Sequence, residues 1–127
     1  MKNGREIKFR GKWKGTNVWV YGDLICSSDK ERIAIVTDDD HTCEVEFDTV
    51  GQYTGLKDKN GVEIYEGDIV RYYDDIEDDL VDGVVSYKAE YCSFAVVSEK
   101  RDPATLSTFW QFEVIGNILD QGKEAKV

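Results

Sequence analysis

The chain has few of the residues on which several common biochemical readings depend. It has a single proline, Pro103, a single histidine, His41, and three cysteines, Cys26, Cys43 and Cys92, far apart in 127 residues. A disulfide scaffold normally shows an even and denser cysteine set, so these three read as reduced, buried thiols. No Cys-x-x-Cys pair accompanies the histidine, which leaves too few nitrogen and sulfur ligands at zinc-like spacing. The glycines never reach a G-x-G-x-x-G or G-x-x-x-x-G-K arrangement, so no nucleotide cofactor is expected, nor any other. No apolar run approaches the roughly 18 residues of a membrane span, and the start MKNGREIKFR lacks the apolar core of a signal peptide. These absences point to a cytoplasmic protein with no membrane partner.

What is present is a foldable β sequence. Hydrophobic residues make up 41% of the chain, enough apolar surface to offset chain entropy, and the length suits one domain or two very small barrels. Eleven glycines are scattered at short intervals among Val, Ile, Tyr, Phe and Trp, a texture of short strands and tight turns. Glu6–Arg10 alternates Ile7 and Phe9 with charged neighbours, the period-two pattern of a half-buried strand. Val18–Tyr21 and Asp23–Cys26 read as two short strands about Gly22, Arg32–Thr37 as a central strand and Cys43–Phe47 as its hairpin partner. Asn60-Gly61 favours a two-residue type I′ turn between strands near Tyr53–Lys57 and Val62–Tyr65. Glu66-Gly67-Asp68 turns the chain into a strand at Ile69–Tyr73.

The run 74–82 is too charged to be buried and reads as a long loop before an antiparallel pair, Gly83–Ala89 and Ser93–Ser98. Asp102-Pro103 suits the start of one helical turn through Thr108. A strand over Phe109–Leu119, broken at Gly116-Asn117, closes the pattern, and the tail from Asp120 is polar and expected to fray. The expected fold is therefore all-β, with at most one or two short helices, built as two small SH3-like barrel units packed together: an N-terminal unit over 1–50, a barrel over 51–119 and a tail over 120–127. The barrel analogy licenses no function.

Charge is the other asymmetry. The net charge is −10, yet Lys2, Arg5, Lys8, Arg10, Lys12 and Lys14 crowd the first twenty residues against Glu6 alone. Asp74, Asp75, Glu77, Asp78, Asp79 and Asp82 fill a stretch without a base. The plain reading is two solvated segments that keep the protein soluble. The functional reading is an interaction surface at Lys8, Arg10, Lys12, Trp13 and Lys14, at Asp74, Asp75, Asp78 and Asp79, or at both across a subunit boundary.

Four blocks resemble the YopX-like proteins, small proteins encoded by phages and prophages of Gram-positive bacteria. They are Arg5–Arg10; Val50-Gly51-Gln52-Tyr53-Thr54-Gly55-Leu56-Lys57-Asp58-Lys59-Asn60-Gly61; Ile64-Tyr65-Glu66-Gly67-Asp68-Ile69-Val70; and Phe112–Ile118. The resemblance implies a β-rich, SH3-like fold, phage origin and a tendency to form homo-oligomers, and it implies no established activity. Physically these motifs read as structural: Gly51, Gly55 and Gly61 permit turns, Tyr53 and Tyr65 bring large rings to adjacent strands, and Gly116-Asn117 suits a bulge. A lesser reading makes exposed aromatics with Glu66 and Asp68 a binding face.

Chemistry is weakly signalled. Asp58-x-Asn60 with Gly61 and Glu63 has the wrong spacing for a calcium loop. Asp38-Asp39-Asp40-His41 suits a divalent cation weakly, and a solvated turn better. His41 and Cys43 fall on one face of a strand, as a thiol and base would require, but no orienting group accompanies them. Trp13, Trp19 and Trp110 with Tyr72, Tyr73 and Tyr91 suit a stacking platform for single-stranded nucleic acid beside Arg10, Lys12 and Lys14, opposed by the acidic net charge. The leading expectation is a non-enzymatic phage accessory protein acting by protein–protein contact, with itself or with a host or phage protein. One variant of it is an acidic DNA mimic built on Asp74–Asp82. The alternative is the single-strand binder, and carboxylate or metal enzymology ranks last.

Overall fold

The computed structural model describes residues 6–107 and 111–121. The chain divides into two units, Met1–Tyr53 and Thr54–Val127. Eleven strands form: β1 (Phe9–Lys12), β2 (Trp19–Cys26), β3 (Ile33–Val36), β4 (Thr42–Glu44), β5 (Gly51–Lys57), β6 (Glu63–Tyr65), β7 (Asp68–Asp74), β8 (Asp79–Lys88), β9 (Ser93–Val97), β10 (Ala104–Thr105) and β11 (Glu113–Asn117). A short helix, α1 (Ile118–Gln121), follows, and two 3-10 turns lie at Phe47–Thr49 and Ala89–Tyr91. The all-β reading holds. The strands build two antiparallel sheets, ordered β4-β3-β2-β1-β5-β6 and β10-β9-β8-β7-β11. Both are open: no pairing among the described residues closes either into the SH3-like barrel expected from the sequence.

In the first unit strand alternation decides the core. Phe9 and Val20 face the cluster of Ile33, Ile35 and Val45, together with Leu24 and Val50. Gly22, expected to separate two strands, instead lies inside one continuous β2 opposite Phe9. A Cβ there would sit 1.9 Å from the Val36 carbonyl oxygen, so glycine is required by the close passage of β3.

The second unit has the larger cluster: Ile64, Val70, Tyr72, Val81, Val85, Val96, Leu106 and Phe112. Tyr72 and Phe112 meet edge to face at 5.3 Å, a favoured arrangement for two aromatic quadrupoles. Three expectations change in this unit. The acidic stretch is not a long loop: Asp74 ends β7, only 75–78 turn, and Asp79 already begins β8. Val81 and Val85 supply the apolar face that makes it a strand, and its acids have partners described below. The segment after Pro103 is not a helical turn, because Ala104 and Thr105 pair with Val96 and Ala95 and the Leu106 N–H donates to the Phe94 carbonyl at 3.0 Å. A single helical turn would leave such donors without intrahelical partners, whereas the sheet edge satisfies them. Asn60 does not take a positive φ; Gly61 alone does, at 84°, and its N–H donates to the Asp58 carbonyl. The hairpin is therefore the three-residue loop with a glycine bulge and not type I′. Asp120 falls within α1, while Thr108–Trp110 and the rest of the tail lie outside the described residues.

Candidate interaction surfaces

The N-terminal cations do share a face, as the alternation predicts, but that face is not open. Arg10 pairs opposite Tyr21 and Lys12 opposite Trp19. The Arg10 guanidinium lies 4.5 Å from the Trp19 ring centroid and Lys12 Nζ lies 5.2 Å from it, while Lys8 Nζ stands 5.3 Å from the Tyr53 ring. Arg10 and Lys12 keep only 6% and 7% of their surface exposed. Ring faces offer these cations their negative quadrupole, and their aliphatic stems fill space between strands. Of the proposed surface, Trp13 and Lys14 remain exposed, and Lys14 is paired with Glu44 at 3.3 Å. The aromatic platform is likewise dispersed. Tyr72 is core, Tyr73 and Tyr91 are exposed in the second unit, and Trp110 lies outside the described residues.

The acidic stretch is a braced hairpin. Asp74 and Asp79 are opposite each other across β7 and β8, a repulsive placement for like charges. Arg101 resolves it, with Nε 2.7 Å from Asp74 and a terminal nitrogen 3.7 Å from Asp79, and Lys100 adds a 3.4 Å contact to Asp79. Asp74 also accepts the N–H groups of Ile76 and Glu77 at 3.0 and 3.2 Å. The Arg101 bond first, and these backbone donors after it, hold the Asp74 carboxyl below the usual aspartate range, and Asp74 raises Arg101 in return. Arg71 forks onto Asp82 at 2.7 and 3.0 Å. The Tyr73 hydroxyl donates to Asp78. A DNA mimic needs free, phosphate-like charges, and here Asp74, Asp79 and Asp82 are already neutralised by cations of the same unit. What the tip presents is Asp75 and Glu77, which make no ion pair among the described residues, around Ile76, exposed to 84%.

The family-motif residues serve the fold. Tyr53 and Tyr65 are buried. The Thr54 hydroxyl donates to the Ile64 carbonyl at 2.8 Å. Gly67 turns the chain with φ 88°, and the following Asp68, 2% exposed, accepts the Tyr65 N–H at 2.7 Å. Asp68 is therefore no part of an exposed binding face: its carboxylate closes the turn that Glu66-Gly67 opens. Asp58, passed over in the sequence except as a poor calcium ligand, is the centre of this region. It accepts the N–H groups of Asn60, Val62 and Val114 at 2.8, 2.9 and 2.9 Å. Burial alone would raise its carboxyl, but these three donors outweigh burial and hold it below the usual range.

Of the thiols, Cys43 is buried as expected, whereas Cys26 and Cys92 are exposed, because each ends a strand or turn where nothing covers the side chain. His41 is exposed while Cys43 is buried, so the two do not share a face. The Asp39 carboxylate is engaged by Thr37 and, at 3.0 Å, by His41 Nδ1, which together hold it below the usual range, Thr37 contributing most. Sequence reasoning missed Ile76, Arg101 and Arg32. Ile76 carried a signal, as the lone apolar residue among Asp74, Asp75, Glu77 and Asp78; the other two carried none. Arg32 borders a concavity of about 370 Å³ in the first unit that Ile25, Ala34, Thr42 and Glu44 also line, while the adjacent Ile33 turns its side chain to the core cluster. Its guanidinium makes no ion pair among the described residues.

Residues 8–123 match the family described as YopX protein, and the chain belongs to that family. No curated protein matches the chain.

Proposed function

We propose that this member of the YopX family is a non-enzymatic phage or prophage accessory protein that works in the host cytoplasm by protein–protein contact, with itself as the first partner. The observation that carries the reading is Ile76, an aliphatic side chain exposed to 84% at the tip of a hairpin whose backbone is fixed by Asp74 and Arg101. Tyr73 and Leu80, opposite each other across β7 and β8 and both exposed, add to it, and a cluster of exposed apolar side chains is a feature of contact surfaces. The carboxylates support it too. Asp29, Asp39, Asp58 and Asp74 are all held below the usual aspartate range by hydrogen bonds, so none of these four is set up as a general acid at neutral pH. A role on single-stranded nucleic acid draws less support, since Arg10 and Lys12 are buried.

Light scattering at low and high salt, with and without a mixed-sequence single-stranded oligonucleotide, tests the reading. An oligomer indifferent to the oligonucleotide is the expected result, and a monomer indifferent to it would remove self-contact from the reading. Mass gained only with the oligonucleotide and only at low salt would replace it with the nucleic-acid reading.

A further inference from the structure

The Asn60-Gly61 loop between β5 and β6 places an electrophile beside a nucleophile. Attack of the Gly61 amide nitrogen on the Asn60 carboxamide carbon closes a succinimide ring, and glycine, with no side chain, obstructs that attack least. Both residues are exposed, and nothing lies within 4 Å of where a Gly61 Cβ would be. Among the described residues Asn60 is hydrogen-bonded through its backbone N–H alone, so its carboxamide can turn.

The nucleophile is the group held back. The Gly61 N–H donates to the Asp58 carbonyl at 3.0 Å. The Asp58 carboxylate accepts the N–H groups on either side of it, Asn60 at 2.8 Å and Val62 at 2.9 Å, and the Asp58 N–H donates to the Val62 carbonyl at 2.7 Å. The loop is clasped around Asp58, with the proton of the Gly61 nitrogen engaged by a carbonyl. Intramolecular attack needs the two atoms aligned and the nucleophile deprotonated, and the clasp opposes both.

We propose that Asn60 is a site of spontaneous, one-way conversion to aspartate and isoaspartate, restrained by Asp58 and released when the clasp opens. Hydroxide takes the Gly61 amide proton and the nitrogen bonds to the Asn60 carboxamide carbon. The side-chain amine leaves as ammonia with a proton from water, which returns the hydroxide. A second water then cleaves one of the two ring C–N bonds. Cleavage at the side-chain carbonyl leaves aspartate; cleavage at the main-chain carbonyl leaves isoaspartate, with the backbone rerouted through Cβ. Either product adds a negative charge beside the Asp58 carboxylate, and isoaspartate also lengthens the loop, so reclosure is opposed. Asp58 also accepts the Val114 N–H at 2.9 Å, and the loosening therefore reaches β11.

Peptide mapping with an isoaspartate-specific methylation assay follows the products during incubation of the full chain at mildly alkaline pH. Asn3-Gly4, the same dipeptide elsewhere in the chain, is the internal reference. Asn60 should convert more slowly in the native protein than in the chain unfolded in guanidinium chloride, since the closed loop must first open. Asp58→Ala should accelerate it, relative to Asn3, by at least roughly tenfold, the factor carried by one hydrogen bond to a charged acceptor. Asp58→Asn, which keeps an acceptor oxygen, should fall between the two, and it decides the matter if circular dichroism shows Asp58→Ala to be unfolded. Native wild type that converts Asn60 as fast as the unfolded chain overturns the restraint. Equal rates in folded wild type and a folded Asp58 variant overturn the role of Asp58. No product at Asn60 in the unfolded chain, once Asn3 is consumed, overturns the site. In the converted protein the Val62 and Val114 amides should exchange hydrogen faster than before, and unchanged protection overturns the release of β11.

Discussion

In the first unit the charges held out of water are cations, Arg10 and Lys12, set against the Trp19 ring, whereas in the second they are carboxylates, Asp58, Asp68 and Asp74. The carboxylates are met by backbone N–H groups and, at Asp74, by Arg101. A ring face attracts a cation over a broad area, and at Lys12 the Asn17 amide oxygen also accepts from Nζ at 3.3 Å. Backbone donors fix a carboxylate to tenths of an ångström, and through it they fix turns: Asp58 joins its own hairpin to β11, and Asp74 sets the tip. The second unit thus holds a precise outward projection over a larger core, and the first presents a simple concave surface.

The largest expected effect compares those cores with the same substitution. Ile35→Ala in the first unit and Ile64→Ala in the second each remove a fully buried side chain, at 0% and 1% exposure, and each should destabilise its unit by about 2–5 kcal/mol. Ile64 lies in the larger cluster, where more neighbours must relax to fill the void, so its truncation should be the costlier. Hydrogen exchange of each unit's own amides measures both. A larger loss at Ile35 would invert the ranking of the cores.

The fold behind those cores was partly visible in the chain alone. The alternation of Phe9 with its charged neighbours, and the Asn60-Gly61 and Glu66-Gly67-Asp68 turns, are each confined to a few residues and follow from strand and turn geometry. The partners of the acids do not, because Arg101 lies 27 residues beyond Asp74, and no local pattern announces it. The same holds for Lys12 and Trp19, whose contact depends on strand register, and for Asp58, whose third donor is 56 residues away at Val114. Counting charge in a window gave a loop where cross-strand and loop cations had made a strand. Of the candidate surfaces, the common face of Arg10 and Lys12 followed from period two, but its burial did not. Ile76 was visible as an apolar residue amid acids, as were Leu80 and Val81, without any sign that it would project.

A middling effect separates the buried charges. Asp58→Ala strips the acceptor from three N–H groups and should cost about 2–4 kcal/mol. Arg10→Lys keeps the charge and loses the guanidinium over the Trp19 ring, and should cost about 0.5–2 kcal/mol. The two also differ in pH dependence. The Asp58 carboxyl is depressed in the folded protein, so its contribution is fully present above the unfolded-state value near about 4 and is lost as pH falls through the lower folded value. Denaturant melts between pH 7 and pH 2 should therefore show a smaller acid-side loss for Asp58→Ala than for wild type, and an unaltered one for Arg10→Lys. Equal pH profiles for Asp58→Ala and wild type would mean that the three N–H bonds do not favour the charged form.

The smallest effect is expected where the units should not differ at all. Lys14–Glu44 in the first unit and Lys59–Glu113 in the second are matched surface pairs, at 3.3 and 3.8 Å, with all four side chains at least 41% exposed. Water and salt screen such pairs, and holding two long side chains together costs entropy, so each should contribute less than about 1 kcal/mol. Double-mutant cycles with alanine at both positions should give equal, near-zero coupling, and raising the ionic strength to 1 M should remove what remains, because the screening length falls to about 3 Å. Salt-resistant coupling in the Lys59–Glu113 pair alone would extend the directional charge pairing of the second unit to its surface. The difference between the units would then be a property of whole sheets, and not of the few carboxylates withdrawn from water.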